Sequence, residues 1–184
     1  MSGLKICGVN DPDFAREAEA LGADYLGLIF APGSPRMVSV DAAREICRGL
    51  KGTAKKVGVF TTTSAEVVLA TARRLDLDVI QLHRRAEAWD IQLLRDAGYE
   101  VWALAGGAEA DGLMFDSSHG DGETRFRRGP WKTILAGGIS KDNLASALVF
   151  NPDVVDVSGS LETEPGQKSV ELLREFFAEW KART

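Results

Sequence analysis

Lys5-Ile6-Cys7-Gly8 is a short run near the start of the 184-residue chain, and it places a thiol and then a glycine at the end of a predicted strand. Successive side chains of a strand point to opposite faces, so Lys5 and Cys7 share one face while Leu4 and Ile6 share the other. One face therefore carries chemistry and the other is suited to packing. If this strand begins a closed parallel barrel, Cys7 lies at the rim where such barrels build their active sites, and the glycine lets the chain turn outward.

Apolar strand-like runs alternate with helix-like segments along the rest of the chain. The eight predicted strands are residues 4–7, 25–30, 56–60, 78–83, 100–104, 112–116, 133–136 and 154–157. The six predicted helices are approximately residues 11–21, 39–50, 64–75, 87–97, 141–150 and 169–181. Repeated strand-then-helix units require a parallel sheet with covered faces. Eight strands favour a closed barrel over a doubly wound open sheet, which more usually has about five or six strands.

The second half of this alternation is shorter than a complete barrel requires. Residues 105–110 are too few for more than one helical turn, and residues 117–130 are rich in Gly, Arg and Asp with little helical periodicity. A typical barrel of this kind has about 250 residues. We therefore predict an α/β fold, a single-domain (β/α)8 TIM barrel over residues 1–184, in which the fifth and sixth helices of the full barrel are reduced or replaced by loops.

Composition argues against several classes of function. Hydrophobic residues make up 45% of the chain and charged residues 27%, which is typical of a globular domain with a core. The net charge of -5 and the lack of a Lys/Arg block argue against a nucleic-acid surface, and the small cluster of Arg125, Arg127 and Arg128 is assigned to a solvated loop. No apolar stretch approaches about 18 residues and no signal-peptide pattern is present, so we expect a cytoplasmic protein without membrane contact. No helix face is unusually apolar, which favours a monomer.

The cysteines and histidines give no sign of a disulfide framework or a metal site. Cys7 and Cys47 are too few for a framework, and His83 and His119 are far apart without metal-type spacing. We expect reduced thiols and no structural metal. Cys47 lies on a predicted helix and is assigned to packing.

Polar or reactive residues recur where the predicted strands end. In a parallel barrel these ends and the loops that follow them form one rim, so the residues are expected to meet in a single site. They are Cys7, Arg36, His83, Asp116, Gly137, Gly138, Ser158 and Gly159.

Glycine-containing loops follow the seventh and eighth predicted strands, at Gly137-Gly138 and Ser158-Gly159. The corresponding loops of barrels often bind phosphate, because glycines let backbone N–H groups approach its oxygens and a short helix N-terminus favours negative charge. Either loop alone is equally consistent with a tight turn. Together they predict a phosphate site.

Cys7 and Asp116 come from strands one and six, on roughly opposite sides of the mouth. A thiolate on one side and a carboxyl on the other suit the removal of a proton from carbon and the protonation of an oxygen elsewhere. The residues alone also allow Cys7 to be a buried small hydrophobe and Asp116 to be a turn or capping carboxylate.

Lys5 is expected inside the barrel, where a buried ammonium needs a counter-charge. Strand eight lies beside strand one in a closed barrel, which predicts an ion pair between Lys5 and Asp156. The ammonium is also expected to favour the thiolate form of Cys7. Arg36 either holds a planar carboxylate in bidentate fashion or is an exposed loop arginine. His83 either contacts substrate or is a satisfied interior histidine.

Six motifs in order along nearly the whole chain resemble the phosphoribosylanthranilate isomerase family. They are Lys5-Ile6-Cys7-Gly8, Phe30-Ala31-Pro32-Gly33-Ser34-Pro35-Arg36, Lys56-Val57-Gly58-Val59-Phe60, Asp78-Val79-Ile80-Gln81-Leu82-His83, Leu135-Ala136-Gly137-Gly138-Ile139 and Val155-Asp156-Val157-Ser158.

The resemblance implies an isomerase of tryptophan biosynthesis that acts on a small phosphosugar substrate. The implied reaction converts N-(5-phosphoribosyl)anthranilate to 1-(2-carboxyphenylamino)-1-deoxyribulose 5-phosphate, an Amadori rearrangement without cofactor. The residues that match the family's functional positions would be Cys7 as general base, Asp116 as general acid and Arg36 as the ligand of the anthranilate carboxylate. The glycine-rich ends of strands seven and eight would bind the phosphate.

Several segments depart from the family pattern, among them the shortened region between strands five and six. Arg84-Arg85-Ala86-Glu87 follows His83 where the family usually has glycine and acidic residues, and residues 118–126 keep only two glycines and the phenylalanine of the family loop. Ser158-Gly159-Ser160 stands where the family has Ser-Ser-Gly.

Two other functions are considered for the chain. One is the ProFAR isomerase of histidine biosynthesis, or a dual-substrate version of it, and the other is a non-catalytic phosphate-binding barrel. Cys7 argues against the first, because those relatives use a pair of aspartates, and Cys7 together with Asp116 argues against the second.

Overall fold

Eight parallel strands form a closed barrel in a computed structural model that describes residues 1–61, 64–117 and 126–184. Each strand pairs with the next along the chain, and β8 pairs with β1 to close the barrel. The strands are β1 (Gly3–Cys7), β2 (Tyr25–Ile29), β3 (Lys55–Phe60), β4 (Val79–Leu82), β5 (Glu100–Leu104), β6 (Gly112–Asp116), β7 (Lys132–Ala136) and β8 (Val154–Val157). The predicted (β/α)8 class is therefore confirmed.

Six α-helices surround the described part of the barrel. They are α1 (Pro12–Leu21), α2 (Val40–Arg48), α3 (Ala65–Leu75), α4 (Ala88–Asp96), α5 (Leu144–Val149) and α6 (Val170–Arg183). Three of them start where a side chain accepts a hydrogen bond from a backbone N–H group of the first turn: Asp11 for α1, Ser39 for α2 and Ser169 for α6. Such caps satisfy donors that the helix itself cannot pair.

Helix α5 is shorter than the prediction of residues 141–150. The side chain of Asn143 accepts a hydrogen bond from Ser140 N at 2.8 Å and donates one to Gly138 O at 2.9 Å. These bonds hold the preceding residues in a turn, so the helix begins only at Leu144. Asn residues commonly compete with the helix in this way.

The barrel is trimmed where the sequence predicts it. Residues 105–111 form turns and bends without a helix, and Ala108 N bonds to Ala86 O at 2.9 Å, which fastens this connection to the loop after β4. After β6, residues 126–131 contain no helix either, and Phe126 packs between Phe115 and Phe150 with ring centroids 5.1 and 5.5 Å away. The predictions for His119 and Arg125 lie outside the described residues.

The loop arginines before β7 are exposed, as expected, yet both contact the protein. The guanidinium of Arg127 lies 5.0 Å from the ring centroid of Trp131, and Arg128 donates a hydrogen bond to the carbonyl of Asn151. No helix of the described residues is long and apolar enough to span a membrane.

Two hydrophobic cores result from the alternation of side chains along the strands. One fills the barrel interior and includes Tyr25, Trp102 and Met114. The rings of Tyr25 and Trp102 pack edge to face there, with their centroids 5.0 Å apart. The other lies between the barrel and the helices and includes Phe14 and Phe176. Leu4 and Ile6 belong to the outer core, whereas Cys7 belongs to the inner one, as the alternation in β1 predicts.

A small antiparallel hairpin follows β8 and is absent from the sequence prediction. A 3-10 turn at Gly159–Leu161 leads into β9 (Glu162–Glu164), and the chain returns as β10 (Gln167–Lys168). The hairpin lies at the mouth of the barrel, because it is bonded to the loop after β1. In this contact Asn10 Nδ2 donates a hydrogen bond to Gly166 O at a distance of 2.8 Å. It contributes side chains to the site described next.

Candidate active site

A cavity of about 530 Å³ opens at the carboxyl ends of the barrel strands. Its lining includes all eight residues that the sequence places at the rim: Cys7, Arg36, His83, Asp116, Gly137, Gly138, Ser158 and Gly159. Because six different strands or loops contribute these residues, only the closure of the barrel brings them together.

Asp156 lines this cavity from β8 and is paired with Lys5, which is fully buried beside it. Lys5 Nζ lies 2.7 Å from Asp156 Oδ2, and the two residues are register partners in the β1–β8 pairing. Both side chains are buried, and the predicted ion pair is confirmed. Burial alone would lower the pKa of Lys5, but the nearby Asp156 and Cys7 outweigh it and raise the pKa above its ordinary value. Lys5 is therefore a charged group inside the barrel.

Cys7 lies directly above this pair at the end of β1. Its register partner is Gly27 on β2, and a Cβ atom at Gly27 would stand 2.8 Å from Cys7 Sγ and 3.2 Å from Lys5 Cε. Only the absence of a side chain there leaves room for the thiol beside the ammonium. Burial raises the pKa of the Cys7 thiol, and the opposing effect of Lys5 does not offset it. The expected influence of Lys5 is thus present, but the larger effect of burial raises the pKa overall.

Asp116 ends β6 and is approached by His83. His83 Nε2 lies 3.7 Å from Asp116 Oδ2, and His83 Nδ1 lies 3.2 Å from Gln81 Nε2. With the amide nitrogen so placed, Gln81 donates to Nδ1, and a neutral ring carries its hydrogen on Nε2, the atom nearer to Asp116. Gly137 packs against the same carboxylate, since a Cβ atom there would lie 2.7 Å from Asp116 Oδ1.

The loops after β7 and β8 are linked to each other and to β1 by serine hydroxyls. Ser160 Oγ donates to Ile139 O at 2.7 Å, and Ser158 Oγ donates to Cys7 O at 3.1 Å. These bonds hold Gly138 and Gly159 at the cavity wall. A Cβ atom at Gly138 would have no neighbour within 4 Å, so its backbone is open to an approaching ligand.

Arg36 reaches the cavity from the loop after β2 and forms a bidentate pair that the sequence does not predict. Its Nε and Nη2 atoms donate to the two carboxylate oxygens of Glu162, each at 2.7 Å. Lys168 Nζ lies 2.7 Å from Glu162 Oε1 and donates to Ser158 O at 3.0 Å. Burial alone would raise the pKa of Glu162, but these donors outweigh it and lower the pKa to about 2.

Glu162 and Lys168 are the residues that sequence reasoning missed, and a local signal for them exists. Pro165-Gly166 is a turn dipeptide, and it separates a short segment with two acidic side chains, Glu162 and Glu164, from one that carries the basic Lys168. A hairpin could have been predicted from it, but its contact with Arg36 could not. Within the described ranges, no group of three or more His, Cys, Asp or Glu side chains is arranged to hold a metal ion.

Comparison with known proteins agrees with this geometry. Residues 4–179 match the sequence model of the family described as N-(5'phosphoribosyl)anthranilate (PRA) isomerase. A Rubrobacter xylanophilus protein named N-(5'-phosphoribosyl)anthranilate isomerase is 34% identical, over 99% of this chain and 100% of the relative.

Two solved structures have the same fold over nearly their whole length. Phosphoribosyl anthranilate isomerase from Thermus thermophilus superposes with a TM-score of 0.84 at 34% identity, over 98% of each chain. A second phosphoribosyl anthranilate isomerase, in complex with reduced 1-(o-carboxyphenylamino)-1-deoxyribulose 5-phosphate, gives a TM-score of 0.84 at 28% identity, over 99% of this chain and 100% of the other. The chain therefore belongs to the phosphoribosylanthranilate isomerase family, and it is an isomerase of tryptophan biosynthesis.

Proposed function

We propose that the chain converts N-(5-phosphoribosyl)anthranilate to 1-(2-carboxyphenylamino)-1-deoxyribulose 5-phosphate, with Cys7 as general base and Asp116 as general acid. The observation that carries the proposal is that a thiol and a carboxyl face one cavity from β1 and β6. An acid and a base on different walls can act on different atoms of a substrate that lies between them.

The first step opens the furanose ring. Protonated Asp116 donates its proton to the ring oxygen, the bond between this oxygen and C1 breaks, and the anthranilate nitrogen supplies the electron pair that forms a C1=N iminium. His83 lies close enough to orient the Asp116 carboxyl for this transfer.

The second step moves the double bond. In its thiolate form, which the Lys5 ammonium stabilises against the effect of burial, Cys7 removes the proton from C2, and the electrons of the C–H bond form C1=C2 while those of the C1=N bond return to nitrogen. The resulting enolamine gains a proton at C1 and loses the proton of the C2 hydroxyl, which gives the ketone. C2 is oxidised and C1 is reduced within one molecule, so the rearrangement needs no external oxidant or reductant.

Two anionic groups of this substrate have counterparts at the mouth. We assign the phosphate to the glycine-containing loops at Gly137-Gly138 and Ser158-Gly159, and the aromatic carboxylate to Arg36. The compound bound by the second structural relative carries both a carboxylate and a phosphate, which supports this assignment. The cytoplasmic location and the monomeric state expected from the sequence stay predictions.

The first experiment follows the fluorescence decay of N-(5-phosphoribosyl)anthranilate generated in situ, with the wild-type protein, Cys7→Ser and Asp116→Asn side by side. We expect each substitution to slow the decay by about 10²- to 10⁴-fold, the usual contribution of a positioned acid or base. Cys47→Ser is the matched control, since Cys47 lies on α2 away from the cavity, and it should retain the wild-type rate.

Full activity in either site variant would contradict the role of that residue. If the wild-type protein leaves this substrate untouched, the proposed reaction is wrong, and thermal stabilisation by phosphate-bearing ligands would then indicate a phosphosugar barrel with a different chemistry.

A further inference from the structure

The guanidinium of Arg36 uses only one of its two edges within the protein. The Nε and Nη2 atoms bind Glu162, and among the described residues no further hydrogen bond of this side chain is found. A guanidinium has five N–H groups in a planar fork. The second edge, formed by Nη1 and the remaining hydrogen of Nη2, is therefore available to a second carboxylate, and Arg36 lines the cavity.

Glu162 is held so that it cannot turn away from Arg36. Its carboxylate accepts the two bonds from Arg36, one from Lys168 and one from Gly166 N at 3.2 Å. The side chain is only 3% exposed. Each oxygen of this carboxylate thus has two donors, which fix the plane of the carboxylate. The carboxylate in turn fixes the plane of the guanidinium that it binds.

The aliphatic part of Arg36 is fixed as well. A Cβ atom at Gly8 would stand 2.7 Å from Arg36 Cδ, so the stem of the arginine lies directly on the backbone after β1. At the other side, the turn of the hairpin packs on the peptide that precedes Arg36, since a Cβ atom at Gly166 would collide with Pro35 O. The arginine is thus oriented by its stem, its loop and its ion pair.

Lys168 changes the charge that this arrangement presents to the cavity. Arg36 and Glu162 alone would be neutral, whereas Lys168, which is 1% exposed, adds a second cation to the same carboxylate. The three side chains together carry one excess positive charge. Because Lys168 is enclosed and Arg36 is 26% exposed, this charge faces the cavity through Arg36.

We propose that Glu162 is a positioning residue, which turns the second edge of Arg36 toward the aromatic carboxylate of the substrate while Lys168 keeps the cluster attractive to an anion. The inference rests on the proposed function, in which Arg36 binds that carboxylate. Substrate selection at this mouth would then depend on the hairpin after β8 and not on the loop arginine alone.

The test compares two substrates that differ only in the carboxylate, N-(5-phosphoribosyl)anthranilate and N-(5-phosphoribosyl)aniline. We expect Glu162→Gln to lower kcat/KM for the first by about 10- to 100-fold, since small misplacements of an arginine clamp have effects of this size. For the second, which has no group for Arg36 to bind, kcat/KM should change by less than about threefold. Glu17→Gln is the matched control, because Glu17 also pairs with an arginine Nε at 2.7 Å but on the helix surface, and it should affect neither substrate.

Equal losses for both substrates would show a merely structural role for Glu162, and an unchanged or increased rate with the anthranilate substrate would make it a simple counter-ion. Either result overturns the inference. If Glu162→Gln does not fold, Glu162→Asp keeps the charge and withdraws the carboxylate by one methylene group, and a loss confined to the anthranilate substrate is then the expected result. Equal change in both substrates would again contradict it.

Arg36→Met separates this inference from the proposed function. A loss confined to the anthranilate substrate keeps the role of Arg36, whatever Glu162→Gln does. Equal loss for both substrates, or no loss, would overturn the role of Arg36 itself and with it the role of Glu162.

Discussion

At the scale of single residues, the barrel interior next to the cavity joins a cation, an anion and a thiol. Lys5 and Asp156 are both buried and lie 2.7 Å apart, with Cys7 above them. A buried pair of this kind contributes little net stability, because desolvation offsets the attraction, but the loss of one partner leaves a charge that water cannot reach. The pair therefore ties the conformation of this region to the presence of both charges.

Lys5→Met should destabilise the fold by about 3–5 kcal/mol, because it leaves Asp156 buried and unpaired. Lys5→Met/Asp156→Asn should be less destabilised than Lys5→Met alone, since the second change removes the orphaned charge. Urea unfolding of Lys5→Met, Asp156→Asn and the double variant measures the coupling energy between the two side chains. The surface pair Arg174 and Glu17 is the control, and its coupling should not exceed about 1 kcal/mol. Similar coupling energies for the buried pair and the surface pair would contradict the expected effect of burial.

At the scale of elements, the hairpin of β9 and β10, which follows β8, fixes the loop after β2, two strands further around the barrel. Asn10 bonds to Gly166 O, and Glu162 binds Arg36. Gly166 has φ +86°, a conformation that residues with a Cβ atom rarely adopt, and it packs on Pro35. One turn residue thus serves both the shape of the hairpin and its contact with the arginine loop.

Gly166→Ala should reduce both stability and activity more than Gly52→Ala does. Both glycines have nearly the same φ, +86° and +83°, so each substitution carries a left-handed backbone cost of about 1–2 kcal/mol. A Cβ atom at Gly52 meets nothing within 4 Å, whereas one at Gly166 collides with Pro35 O and must displace Arg36. Urea unfolding and kcat/KM for N-(5-phosphoribosyl)anthranilate measure the two effects. Equal behaviour of the two variants would show that the hairpin does not position the loop.

At the scale of the whole molecule, the barrel closes although the described connections at residues 105–111 and 126–131 contain no helix. The β6–β7 pairing joins five register partners, and β5–β6 joins three, so strand hydrogen bonds complete the ring without a helix over residues 105–111. Other parts of the barrel are held by carboxylates that accept hydrogen bonds from backbone N–H groups. Glu19 accepts four such bonds from residues 51–54, and Asp153 accepts from both N–H and hydroxyl of Thr133.

We expect the global stability to fall as the pH drops from about 4.5 to about 2. Burial opposes ionisation of Glu162, but Arg36 and Lys168 outweigh it and lower the pKa from 4.5 to about 2. The unfolded chain therefore binds more protons in this window, so the contribution of Glu162 is complete above pH 4.5 and is lost as the pH falls. Glu19 and Asp153 act in the same direction, because their hydrogen bonds lower the pKa despite burial.

Urea unfolding at a series of pH values measures this dependence. Glu162→Gln should flatten the curve between pH 4.5 and 2, since one of the titrating groups is removed. An unchanged slope in this variant would mean that Glu162 does not ionise differently in the folded and unfolded states.

Much of this architecture can be predicted from the sequence because it depends on local patterns. The alternation in β1 puts Cys7 inside the barrel and Ile6 outside, and the closure of eight strands places Asp156 beside Lys5. The short connection after β5 also follows from chain length. The end of β2 and the start of α5 differ by one and three residues from the prediction, because capping and turn contacts decide such limits.

The sequence by itself determined the barrel class, the rim residues and the family, because strand periodicity and the order of motifs are properties of the chain alone. Only the tertiary structure decided which group binds Arg36 and how burial and Lys5 together act on the pKa of Cys7. Glu162 is 126 positions away from Arg36, and no periodicity relates the two. The pKa of Cys7 depends on burial against the attraction of Lys5, and this balance exists only once the barrel has closed around the thiol.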